Sequence, residues 1–321
     1  MRRFVLGVIV ILAMSHDIAR SCEYCFISEH GYVFDLNRTM LRLDSRLQSY
    51  SGLTNSSSPL DEVQTRYLTT YLTVNYASGS WGMTFIAPYV YRTQRNTYTG
   101  TYSLHYEHVG RVVPPIDSSA IETQTTRGLG DVSVLARYAV FQLSGDHFAS
   151  IFLQGGAKAA TGSISARDAF GYLVHPHLQS GSGTTLALLG ASASYGGLKQ
   201  SGSVSVLTGL PVHVYGPYRE PESFNYEASF RFRNFPDDAE DGPMLITQLG
   251  VVGTVSWKER YNGIYVPDSG GYYMFLNAGF SFMPVPGFEL DVFGQIPMIK
   301  DLAGNQIDEQ YRLASGIQVI L

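Results

Sequence analysis

The chain is short of charge and cysteine, and its apolar runs are short too. Asp, Glu, Lys and Arg make up 15% of the 321 residues, against about 25% in ordinary soluble domains. A surface with so little charge argues against one or two water-soluble domains, which the length alone would permit. The formal charge is −5 and no basic run exceeds two residues, so nothing points to nucleic-acid binding. Beyond residue 14 nothing approaches the ~18 consecutive apolar residues of a membrane-spanning helix. The two cysteines both fall in Cys22-Glu23-Tyr24-Cys25. Haem attachment would need a histidine at position 26, where Phe26 stands. A four-ligand zinc site would need two further ligands, and only His30 is near in sequence. A local disulfide and a periplasmic metal or redox contact are the two readings of this pair.

The start has the layout of a secretory signal. Arg2 and Arg3 are followed by an apolar run from Phe4 to Met14, and Ala19-Arg20-Ser21 offers small residues at cleavage spacing. About eleven apolar residues are too few to span a bilayer as a helix. The expected organisation is a signal peptide over 1–21, a periplasmic segment with Cys-x-x-Cys over 22–39, and one β-barrel over 40–321.

What the chain has in quantity is alternation. Leu68, Thr70, Leu72, Val74 and Tyr76 fall on one phase, and Tyr67, Thr69, Tyr71, Thr73 and Asn75 on the other. Successive strand side chains point to opposite faces, so such a segment has one apolar and one polar face. The pattern recurs about twelve times, separated by Gly, Pro, Asn or Asp clusters, with enough length each time to cross a bilayer. A membrane accepts strands only as a closed ring, because an open edge leaves backbone groups unpaired in lipid. The expected fold is therefore an all-β, transmembrane, antiparallel up-and-down β-barrel of about 12 strands. The 33 glycines and 22 tyrosines suit tight turns and interfacial girdles.

Connection lengths follow strand parity. Long stretches are expected after strands one, three, five, seven, nine and eleven, including 93–127 and 161–182, and short turns after most even strands. The acidic stretch Pro236 to Asp241 is the exception. Barrels of this kind keep long loops outside and short turns in the periplasm. Charge at midplane on the lipid face costs about 2–4 kcal/mol. Arg42, Asp44, Arg46, Arg137, Lys158, Glu227, Arg231, Arg233, Lys258, Glu289, Asp291 and Arg312 are therefore expected to face the lumen. They form either an ion-paired filling of a narrow lumen or a lining that selects solutes. Arg231 with Arg233, and Glu289 with Asp291, are spaced two apart and are expected to set a transverse field or a constriction along the pore.

Several phrases resemble an outer-membrane, transporter-like barrel family associated with the meta-pathway of phenol degradation. They are Gly128-Leu129-Gly130-Asp131, Lys158-Ala159-Ala160-Thr161-Gly162-Ser163, Leu178-Gln179-Ser180-Gly181-Ser182-Gly183-Thr184, Gly270-Gly271-Tyr272-Tyr273 and Asn305-Gln306. The family usually has Leu-Pro before Thr-Gly-Ser, where this chain has Ala159-Ala160. The last residue is Leu321, where such barrels generally end in an aromatic residue recognised during assembly. The resemblance implies a barrel that passes small, hydrophobic molecules, in the outer membrane of a Gram-negative bacterium. Its partners would be membrane lipid, a small-molecule solute and the barrel-assembly machinery.

Passive transport has two rivals. A structural or surface-interaction barrel would have a closed lumen. An outer-membrane hydrolase would need a serine beside a base. His175 and His177 lie near Ser180 and Ser182, but no Gly-x-Ser-x-Gly turn occurs. The two histidines are also a weak metal-ligand candidate. The expectation is a channel, not an enzyme, with no cofactor implied.

Overall fold

The computed structural model describes residues 39–53, 60–98, 105–106, 111–112, 121–145, 147–168, 171, 173–197, 199–235, 243–304 and 306–321. Cys22, Cys25 and His30 lie outside the described residues.

Alternating polarity becomes strand pairing along the whole chain. The strands are β1 (Thr39–Leu53), β2 (Leu60–Ser78), β3 (Trp81–Tyr98), β4 in two segments (Ile121–Leu129 and Ser133–Leu143), β5 (His147–Lys158) and β6 (Thr184–Gly197). Next come β7 (Gln200–Val214), β8 (Ser223–Phe235), β9 (Met244–Ser256), β10 (Gly271–Val285), β11 (Phe288–Leu302) and β12 (Ile307–Ile320). Each pairs antiparallel with the next, and β12 returns to β1, with Met40 opposite Ile320 and Leu47 opposite Leu313. The result is a closed barrel of 12 strands.

Side-chain phase decides which way each strand faces. Leu41, Leu43, Leu68, Leu72, Met83, Phe85, Val134, Leu153, Leu249, Leu290 and Leu313 are exposed, while Arg42, Asp44, Thr69, Thr73, Thr84, Gln248, Asp291 and Arg312 are buried. In water this would be an inverted protein. In lipid it is the low-energy arrangement, since each charge avoids hydrocarbon. Aromatic rings mark the two edges of the apolar band. Exposed Tyr76, Trp81, Tyr138, Tyr195 and Phe282 ring the end with short turns, and Tyr89, Tyr91, Trp257 and Tyr311 ring the other. Trp81 and Tyr138 pack with centroids 4.7 Å apart. The strand from Trp81 to Tyr91, at ~3.4 Å per residue and tilted by ~40°, rises about 25 Å, the height of an outer-membrane apolar band.

The turns after β2, β4, β6 and β10 are short, and the connection from β8 to β9 is longer, as the sequence implied. Two expectations need correction. The stretch 93–127 is not one loop, because β3 runs on to Tyr98 and β4 starts at Ile121. Its outward residues there, Thr93, Thr123, Thr125 and Arg127, are polar, so this part of the hairpin continues beyond the apolar band and its alternation carries no hydrophobic signal. The connection after β11 is also short, since β11 extends to Leu302 and β12 begins at Ile307.

One irregularity positions the site. From Ile86 to Tyr89, β3 faces the longer path from Ser133 back to Leu129 on β4, so β4 carries an extra residue and breaks at 130–132. Pro88, which has no N–H for the ladder, sits opposite the break and accepts a bond from Gly130 N at 2.8 Å.

Candidate functional site: a filled lumen and a covered mouth

Two clusters of paired charge occupy one wall of the lumen. Near the short-turn end, the Arg42 guanidinium bridges two carboxylates. Its Nε donates to Asp44 Oδ1 at 2.7 Å and Oδ2 at 2.8 Å, and its Nη2 lies 2.9 Å from Asp291 Oδ2. Gly316, on β12 between β1 and β11, faces both Asp44 and Asp291 and leaves the room they occupy. Higher on the same wall, Arg312 donates through Nε and Nη2 to both oxygens of Glu309, at 2.7 and 3.0 Å. Its guanidinium lies 3.8 Å from the centre of the Phe275 ring, and Gln48 Nε2 donates to Glu309 Oε1 at 3.0 Å. Buried charge is tolerable only when it is paired and hydrogen-bonded in this way.

The opposite wall is different. Tyr71, Ile86, Leu135, Leu186, Leu188, Leu207 and Val252 form one contiguous buried cluster, none more than 4% exposed. They come from β2, β3, β4, β6, β7 and β9, so they form a dry apolar layer inside a barrel whose other inward residues are mostly polar.

The connection 159–183 covers the end above it. Three of the phrases that carried the resemblance meet here. Asp131 Oδ1 accepts from Gly162 N at 2.9 Å, and its Oδ2 accepts from Ser182 N at 2.9 Å and Ser182 Oγ at 2.6 Å. Lys158 Nζ lies 3.4 Å from Asp131 Oδ2 and 2.5 Å from Glu220 Oε2. Thr161 Oγ1 accepts from Val132 N and donates to Gly130 O, closing the break in β4. Two further phrases meet elsewhere at the same end, where Gln306 Nε2 donates to Gly270 O at 2.7 Å.

Arg42, Asp44, Arg46, Arg137, Lys158, Glu227, Asp291 and Arg312 are buried inside the barrel, and Arg231, Arg233 and Glu289 are half-buried on the inward phase. Lys258 lies past the end of β9, in the connection to β10. The two Arg–acid pairs are not joined directly, because Asp291 bonds Arg42 while Arg231 Nε donates to Gln248 Oε1 at 2.8 Å. His177 Nε2 lies 3.0 Å from Glu259 Oε2, and the His175 and His177 rings stack at 4.9 Å. Among the described residues no group of three His, Cys, Asp or Glu is placed to hold a metal ion. Ser182 donates to Asp131, and Ser180 Oγ donates to Ser163 O at 3.2 Å. Neither is the serine-to-imidazole bond of a nucleophile with its base.

The sequence reading missed the apolar layer, Arg92 and Glu309. A usable signal for the layer was present in Leu186-Ala187-Leu188-Leu189 and Val206-Leu207, where apolar residues occupy both phases.

No family model matches the sequence, and no curated protein does. Among solved structures, the chain is similar to an outer membrane channel from Pseudomonas putida F1, with a TM-score of 0.57 and 14% identity, over 94% of this chain and 100% of that one. It is also similar to the translocator domain of the autotransporter NalP from Neisseria meningitidis, with a TM-score of 0.43 and 10% identity, over 92% and 93% of the two chains.

Proposed function

We propose that this barrel is an outer-membrane channel for a small apolar molecule, with aromatic compounds the favoured class, and that residues 1–21 are removed on export. The dry apolar layer from Tyr71 to Val252 carries this reading. A barrel that only needed filling could use ion pairs throughout, as it does around Arg42 and Arg312. An apolar constriction instead repels water and ions. To an apolar solute the same layer offers contact worth about 25 cal/mol per Å² of surface removed from water. That the similar barrel from Pseudomonas putida F1 is an outer membrane channel supports this reading. So does the resemblance to barrels associated with aromatic degradation.

The paired charges would then fill the rest of the lumen and hold the wall rigid. A structural barrel with a permanently shut lumen is the second reading, favoured by how completely Arg46, Lys158 and Arg312 are buried. Uptake of a radiolabelled neutral aromatic solute into proteoliposomes separates the two. The channel reading expects entry faster than into protein-free vesicles, with a charged analogue of similar size left behind. Entry that stays at the protein-free rate for every solute of a panel refutes it.

A further inference from the structure

The covering over the mouth is organised as a body with a neck. Its two described arms, 163–168 and 173–181, fold on each other. Arg167 and Leu173 form an antiparallel bridge, and Val174 N donates to Ala166 O at 3.0 Å. The Gln179 side chain ties the arms together. Its Oε1 accepts from Ala166 N at 2.8 Å, and its Nε2 donates to Ala166 O at 3.0 Å and Val174 O at 3.1 Å. Val174, Leu178 and Gln179 are buried. The two arms are tied by their own side chains and main chain, and these internal bonds favour movement as one piece.

Both ends of this body meet at one carboxylate. Gly162 N and Ser182 N donate to the two oxygens of Asp131, and Gly181 N donates to Ser163 O at 2.9 Å. The strands of the neck touch: a Cβ on Gly162 would sit 2.5 Å from the Cα of Gly181. Gly183, just beyond, has φ +68°, a left-handed conformation that glycine adopts without strain.

Away from the neck, the body is pinned on opposite sides of the ring. On β3, Arg92 Nη1 donates to His177 O at 2.8 Å and Gln179 O at 2.6 Å, and on β4 Thr126 Oγ1 donates to Leu178 O. On the far side, His177 Nε2 lies 3.0 Å from Glu259 Oε2, in the connection from β9 to β10. In a ring of 12 strands, β3 and β9 are diametrically placed. A body bonded to both therefore crosses the mouth.

We propose that the two arms 163–168 and 173–181 act as a rigid lid, hinged at the Gly162–Ser182 neck on Asp131 and latched by Arg92 and Glu259, which swings open to expose the apolar layer. Its gating role rests on the channel reading, whereas its movement as one body does not. Arg92 is the separable half of the latch, since both its acceptors belong to the lid and neither belongs to the neck. Losing two charge-assisted bonds should shift the closed–open balance toward open by roughly a hundredfold or more.

The test uses spin labels on the full chain in lipid nanodiscs, with Cys22 and Cys25 replaced by serine. One pair of labels, at Ser165 and Tyr265, reports lid against far wall; a second, at Ser165 and Leu173, reports the lid's own shape. Arg92→Ala should add a longer distance to the first pair and leave the second unchanged. Glu259→Ala should do the same, and serves if Arg92→Ala fails to fold. An unchanged first pair in the folded variant overturns the lid. So does a second pair that broadens along with the first, because the loop would then be melting instead of swinging. Solute flux through the same variant judges the channel reading separately: a longer first distance with unchanged flux keeps the lid and rejects the gate.

Discussion

Replacing Gly316 with alanine should unseat the lower ion cluster. Gly316 lies between Asp44 on β1 and Asp291 on β11. An added Cβ would fall 2.3 Å from Asp44 Oδ1, 2.7 Å from Arg42 Nη2 and 2.9 Å from Asp291 Oδ1. These groups have no slack, since Arg42, Asp44 and Asp291 are at most 3% exposed. Forcing a methyl group into a packed site costs about 1–3 kcal/mol. Separating Arg42 from one carboxylate would raise that toward the about 3–5 kcal/mol of a broken buried pair. Relief of glycine's backbone entropy returns at most about 1 kcal/mol. The expected net loss is about 2–3 kcal/mol. Gly202→Ala is the control, because its Cβ would meet Phe230 Cδ2 and Ser229 O at an ordinary 3.7 Å. Denaturant unfolding in lipid vesicles, followed through Trp81 and Trp257, reads both variants. Gly316→Ala should lower the midpoint at constant slope, while Gly202→Ala should stay within about 1 kcal/mol of the parent. A Gly316→Ala midpoint equal to the parent's would refute the claim that the cluster is packed without slack.

Other perturbations address the mouth, the layer and the topology. Leu188→Asn places an amide in the dry layer and should raise ion conductance severalfold in planar bilayers while the barrel still folds. Asp131→Ala removes the acceptor of three bonds at the neck and should expose 163–181 to protease at concentrations that leave the parent intact. Exchanging both Cys22 and Cys25 for serine should leave folding and flux unchanged if they form only a local disulfide, because so short a loop constrains the unfolded chain little. A cysteine at Thr123 should be labelled on intact cells, and one at Ser144 only after lysis.

The barrel was legible because lipid and lumen impose opposite demands on alternate residues. Leu41 and Arg42, or Leu313 and Arg312, state that demand directly. Where an outward face leaves the lipid the signal stops: Thr93, Thr123 and Arg127 gave no reason to extend β3 and β4, so the hairpin read as a loop. The inward phase of β3, β4, β6 and β7 was only partly legible, for another reason. Ile86, Leu135, Leu188 and Leu207 are apolar opposite apolar outward neighbours, and such runs do not say which side is lipid. The mouth depends on pairings no spacing discloses. Asp131 and Ser182 are far apart in sequence yet share a bond, and Arg92 meets main-chain carbonyls, whose positions carry no residue signature.

On the channel reading, the apolar layer selects neutral apolar solutes over charged ones. The most direct measurement compares initial uptake of a radiolabelled neutral aromatic and a charged analogue of similar size by intact cells with and without the protein. The neutral compound should enter several times faster when the protein is present, with little change for the charged one. Equal acceleration of both, or acceleration of the charged compound alone, would contradict the claim.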